Sequence, residues 1–97
     1  MSGERVSAVA VASDATDDTV TAKKFYGWSL HESAGTPAVA SVLFKDTDSS
    51  GSLLGALELA ADTSDTVFFP DGVVVPSGTL YIDKTAGSTE GAVYISG

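Results

Sequence analysis

The residues best suited to chemistry lie between Asp46 and Gly51. Asp46, Asp48 and Ser50, followed by Gly51, match the first half of a calcium loop. In such a loop alternating oxygens wrap the ion and Gly permits the tight turn. The acid that should close a twelve-residue loop is missing, because Leu57 stands there and Glu58 follows one place later. Asp, Ser and Gly are also standard turn formers, so a solvated hairpin turn is the expected reading and calcium the alternative. His31 is the single histidine. No G-x-S-x-G elbow marks a nucleophile for it, and a lone His among surface carboxylates makes a weak metal site. Glu32, Glu58 and Glu90 could pair for glycoside hydrolysis, but nothing fixes their separation, and solvent-facing strand positions account for them better. GTPA and GSLLG lack phosphate-loop spacing. The expectation is no catalytic residue, no cofactor and no metal.

The aromatic residues offer binding chemistry instead. Tyr26, Trp28, Tyr81 and Tyr94 could form a sugar-stacking platform, although a lone Trp on an alternating strand is expected in a core. Phe68 and Phe69 are adjacent, so in a strand they point to opposite faces. One of them is core, and the other needs a second cover, supplied by a neighbouring subunit or by a loop folding back.

Elements that could position these groups are short strands. The segment Ser64–Lys84 has apolar runs stopped by Pro70-Asp71-Gly72 and by Pro76-Ser77-Gly78. Pro and Gly supply the φ restrictions of turns, while β-branched and aromatic residues suit a pleated, half-buried surface. Strands are expected at 66–69, 73–75, 79–84 and 91–95, with Val93 and Ile95 facing the core. Upstream, Tyr26, Trp28 and Leu30 share one face at period two, and Phe25, Gly27, Ser29 and His31 the other. Val42 and Phe44 oppose Leu43 and Lys45 in a strand over 38–46. The run Ser52–Ala60 fits a strand with Gly55 as a bulge or close-packing point, against a short helix as the alternative. Ser13–Thr19 is polar and acidic, and reads as a loop. The run Val6–Ala12 alternates Val with small residues and reads as an N-terminal strand or arm, not a cleaved signal, so synthesis in the cytoplasm is expected. The total is seven or eight strands, the pattern of a single antiparallel β-sandwich, jelly-roll-like or Ig-like. Residues 1–19 form the strand or arm with its acidic loop, and 20–97 form the sandwich of one domain.

Composition narrows the partners. The chain has 97 residues, 13 acidic and 5 basic, for a formal charge of −8. Such a surface repels phosphate backbones and anionic lipid, so neither nucleic acid nor membrane is an expected partner. There is no Cys, Asn or Gln and one Met. That removes most thermolabile side chains, as suits a durable particle, though it also fits a composition bias. A small β domain without disulfides commonly gains stability and covers its sheet edges by oligomerising.

The stretches YGWSLHESAGTPAVASVLFKD, LGALELAADTSDTVFFPDGVVVPSG and TEGAVYIS resemble short all-β virion proteins of tailed bacteriophages, among them head decoration (cement) and head fibre proteins. The resemblance spans residues 25–96 and rests on phrases such as GWSLHESAG and FPDGVVVPSG. It implies a non-enzymatic structural protein located in the virion, often a homotrimer, that binds the major capsid protein or other virion proteins. It carries over no active-site residue. The candidate interface is Val6, Val9 and Val11 together with Phe68 and Phe69. The alternative is a tail- or fibre-associated module that recognises host-surface glycans through exposed Tyr26, Tyr81 or Tyr94.

Overall fold

A computed structural model describes residues 5–14 and 16–97; residues 1–4 of the N-terminal segment and Ala15 of the acidic stretch lie outside the described residues. Eight strands follow one another: β1 (Ser7–Asp14), β2 (Asp18–Thr21), β3 (Lys24–Glu32), β4 (Ala40–Asp46), β5 (Leu53–Leu59), β6 (Ser64–Val74), β7 (Thr79–Ala86) and β8 (Thr89–Ser96). They form two four-stranded antiparallel sheets, ordered β1-β8-β3-β6 and β2-β7-β4-β5.

The pairing has a simple logic. β1 pairs with β8, β2 with β7, β3 with β6 and β4 with β5. Those nested pairs make one long hairpin, and rolling it up brings β3 against β8 and β4 against β7. The result is an eight-stranded jelly roll. Between the sheets lie Phe25, Trp28 and Leu30 from β3, Val42 and Phe44 from β4, Leu80 and Ile82 from β7, and Val93 and Ile95 from β8. The aromatic centre is tight: the Phe44 ring centroid is 4.8 Å from both Phe25 and Trp28, and Phe69 meets each of those two edge-on at 5.9 Å. Gly55, opposite Phe44 on β5, makes room for this cluster. A Cβ there would already touch Phe25, Trp28 and Phe44 at 3.4–3.5 Å, so any larger side chain must displace a ring.

Three local readings change. β3 does not alternate uniformly, because Tyr26 is an extra residue between the pairs Phe25↔Ile95 and Gly27↔Tyr94. This bulge turns Phe25, Trp28 and Leu30 inward and puts Tyr26 on the other face. The expected strands 66–69 and 73–75 are two halves of β6, both paired to β3, with Phe69–Gly72 looping out opposite Tyr26. Pro70, which has no amide hydrogen to donate, is tolerated because β6 is a sheet edge and the ladder is open there. The expected loop Ser13–Thr19 is largely strand: β1 runs to Asp14 and β2 begins at Asp18, each stabilised by a partner some seventy residues away in the chain. β1 is therefore a strand of the sandwich, and its Val11 is core.

Candidate interaction surface

The outer face of the β1-β8-β3-β6 sheet carries the exposed aromatic chemistry. Phe68 on β6 and Tyr94 on β8 flank Gly27 on the central strand β3. Gly27 has φ +130° and is buried, and a Cβ there would collide with the Val67 carbonyl, so only glycine fits between them. Phe68 is 54 % exposed, whereas its neighbour Phe69 packs on the core. Tyr26 stacks on Phe68 with centroids 6.0 Å apart and is itself buried, covered by the Phe69–Gly72 excursion through its contact with Gly72. Val74, 60 % exposed, continues the apolar line along β6. Of the five interface residues read from sequence, Phe68 and Val6 are on the surface, Val9 is half-buried against the core, and Val11 and Phe69 pack inside.

Tyr81, one of the three candidate sugar-stacking tyrosines, is otherwise engaged. Its hydroxyl donates to Asp17 Oδ2 at 2.6 Å, which pushes the phenol up to about 12. Asp17 Oδ1 accepts the Lys84 amide at 2.9 Å, and these two bonds hold its carboxyl below the usual range. Tyr94 is half-buried and Tyr26 buried, so Phe68 is the aromatic of this sheet face most open to a partner.

The chemistry-bearing polar residues form structural bonds. Asp46 does not wrap the Asp46–Gly51 loop. Its Oδ1 accepts the Ser77 amide at 3.0 Å and the Ser77 hydroxyl at 2.8 Å, tying the β4–β5 turn to the β6–β7 turn. Asp48 Oδ1 accepts the Ser50 amide at 2.9 Å, an Asx turn. Among the described residues no group of three or more His, Asp or Glu side chains is placed to hold a metal. Glu32, expected on a solvent-facing position, is buried: Oε1 accepts the Asp62 amide at 2.9 Å and Oε2 the Ala34 amide at 2.7 Å. It clamps the β3–β4 and β5–β6 connections, and those amide bonds lower its pKa. Lys84 has a fully buried side chain, and its Nζ donates to the Ala12 carbonyl at 3.0 Å and to Asp14 Oδ1 at 2.7 Å. Sequence reasoning passed over this lysine, because its place in the β7 alternation is the only signal that it faces inward.

His31 Nδ1 lies 2.8 Å from Ser64 Oγ, and Glu90 is the cross-strand neighbour on the other side. The row Ser64–His31–Glu90 orders a serine, a histidine and an acid across three strands. It sits on an open sheet face, where β3 is paired on both sides and its amides are committed to the ladder. Acyl transfer needs amides aimed at a developing oxyanion, and this face provides none on β3. On the opposite sheet a depression of about 390 Å³ is lined by Ser41, Leu43, Ala56, Leu57, Glu58 and Thr85. Glu58 is its one titratable group, so it holds no acid–base pair.

These bonds set the pH limits of the fold. Asp14, Asp17, Glu32 and Asp46 are all held below their ordinary values of 3.8 for Asp and 4.5 for Glu. For Asp14 the Lys84 bond is the main cause, and for Asp46 the Ser77 amide. A depressed folded pKa contributes stability above the unfolded value and loses it as pH falls through the folded one. Tyr81 has the opposite sign: its contribution is complete below pH 10 and is lost between 10 and about 12. Thermal melts should therefore be level from about pH 5 to 9 and fall on both sides. Tyr81→Phe should lose the part of the alkaline fall between pH 10 and 12 that Tyr81 causes, and keep the acid one.

No family model, curated protein or solved structure matches this chain.

Proposed function

We propose that this protein is a non-enzymatic structural component of a virus particle, a decoration protein that binds the outer head surface and stabilises the shell. The particle is suggested by the resemblance of residues 25–96 to phage virion proteins. The adhesive mechanism rests chiefly on Phe68, a large aromatic more than half exposed on an open sheet face. A formal charge of −8 suits contact with a basic protein surface and disfavours nucleic acid and anionic membrane. The jelly roll itself hosts many functions and does not choose among them. Each copy needs only modest affinity, because symmetric multivalency multiplies the effect. The partners are the major capsid protein and further copies of this chain, and the site of action is the virion, assembled in the host cytoplasm.

The second reading, a tail- or fibre-associated module for host glycans, is favoured by exposed Phe68 and half-buried Tyr94, which lie opposite Gly27 on either side of β3. One variant tests both. Phe68→Asp should stay folded with a melting temperature lowered by no more than about 10 °C, since just over half of the side chain is solvated and the rest stacks on Tyr26. Occupancy on purified particles, read by labelled imaging, should fall at least about tenfold, the equivalent of one interface anchor. Undiminished occupancy removes Phe68 from the mechanism. Saturable glycan-array binding by the wild type, abolished in the variant, selects the second reading.

A further inference from the structure

We propose that β1 is a self-association edge, pairing antiparallel with β1 of a second copy about a twofold axis at Val9. The four sheet edges differ sharply in their protection. β6 carries Asp65, Pro70, Asp71 and its four-residue excursion; β5 carries Glu58 and a bulge at Leu54; β2 is four residues long and includes Asp18. Those are the usual devices that keep a sheet edge from pairing with another chain. From Ser7 to Val11, β1 has none of them: no charge, no proline and unbroken register against β8. The open stretch ends at both sides in a defined way. Beyond Val11 the register breaks, and Lys84 Nζ takes the carbonyls of Ala12 and Asp14. Before Ser7 come Val6 and Arg5.

Val9 is the centre of those five residues. Antiparallel pairing there sets Val9 against Val9, Ala8 against Ala10 and Ser7 against Val11 of the other copy. Side chains directly opposed on one face are the unit of sheet stabilisation, and this register opposes a β-branched pair and two small pairs without a clash. Such a contact is isologous and closes as a dimer, joining two four-stranded sheets into one of eight. It selects twofold symmetry over the threefold implied by the virion resemblance. It also stands apart from the particle reading, since either can fail while the other holds.

The test uses the full chain and two double variants at exposed positions 8 and 10. Sedimentation equilibrium of the wild type should show twice the 9.8 kDa chain mass. Ala8→Lys/Ala10→Lys opposes lysine to lysine twice across the axis and should weaken the dimer roughly tenfold or more. Ala8→Lys/Ala10→Glu opposes lysine to glutamate twice and should keep the dimer or tighten it. Bulk charge predicts the reverse order: two lysines bring the chain from −8 to −6 and reduce repulsion between copies. Melting curves confirm that both variants are folded. A wild type that stays monomeric to millimolar concentration, a trimer, or two folded variants that associate equally would each overturn the proposal.

Discussion

Phe44→Ala is expected to lower the unfolding free energy by about 3–5 kcal/mol, the range for removing a fully buried aromatic. Three features place it at the upper end. Phe44 lies 4.8 Å from both Phe25 and Trp28, so its loss removes the ring that joins them. Gly55 faces it across the β4–β5 ladder and has no side chain that could move into the void. Trp28 cannot readily shift to fill the space, since its Nε1 donates to Asp65 Oδ2 at 3.0 Å. For a domain of 97 residues each kcal/mol moves Tm by about 5 °C, so a fall of about 20–25 °C should be read by calorimetry. Phe44→Leu, which refills most of the volume, should recover more than half of it. A fall below about 5 °C for Phe44→Ala would mean that the aromatic cluster is not the centre of the core.

Lys84→Met should cost about 3 kcal/mol, at the low end for breaking a buried ion pair. The lysine stem is already fully buried, and Met matches its length, so packing is nearly conserved. The loss comes from the ammonium, which joins sheet to sheet by donating to Ala12 O, Asp14 O and Asp14 Oδ1. Asp14 is 40 % exposed, so water takes over its charge and limits the penalty, whereas Asp18 Oδ2, buried 3.5 Å from the ammonium, loses its counter-charge. A second signature separates this from a packing defect. Asp14 owes its low pKa first to Lys84, so the variant should also lose stability less steeply between pH 5 and 3. Equal acid slopes in the two proteins, with equal Tm at pH 7, would show that the buried ammonium contributes nothing net.

How far the sequence could be read depends on the range of the interactions. The strand expected over 38–46 is present over Ala40–Asp46, with Val42 and Phe44 opposed to Leu43 and Lys45 as the alternation indicates, because β4 has one face in the core. Gly55 was legible as a close-packing point, and Val93 and Ile95 as core. Tyr26 was not, because a bulge changes the face of a residue without changing its type. Glu32 was read as solvated since a charged residue at a strand end usually is. The amides of Ala34 and Asp62 that satisfy it come from connections whose meeting no local pattern encodes. Val11 looked like part of an arm because the partner that makes it core, Gly91 of β8, is eighty residues away.

The chain by itself determined its class: turn residues at short intervals and period-two patterning compel antiparallel strands, and two half-apolar sheets must then bury their faces on one another. It also determined that no familiar catalytic spacing is present. Only the tertiary structure decided which strands pair, and with them the jelly-roll order, the burial of Glu32 and Lys84, and the commitment of Asp46 to Ser77. It alone decided that Phe68 faces outward while Phe69 faces the core, and that the Ser7–Val11 stretch of β1 is a sheet edge with no charge, proline or register break. The physical reason is that alternation is set residue by residue, whereas a ladder closes only when distant segments meet. The residues left over after that closure, Phe68 and the Ser7–Val11 edge, are the ones on which we place the proposed contacts.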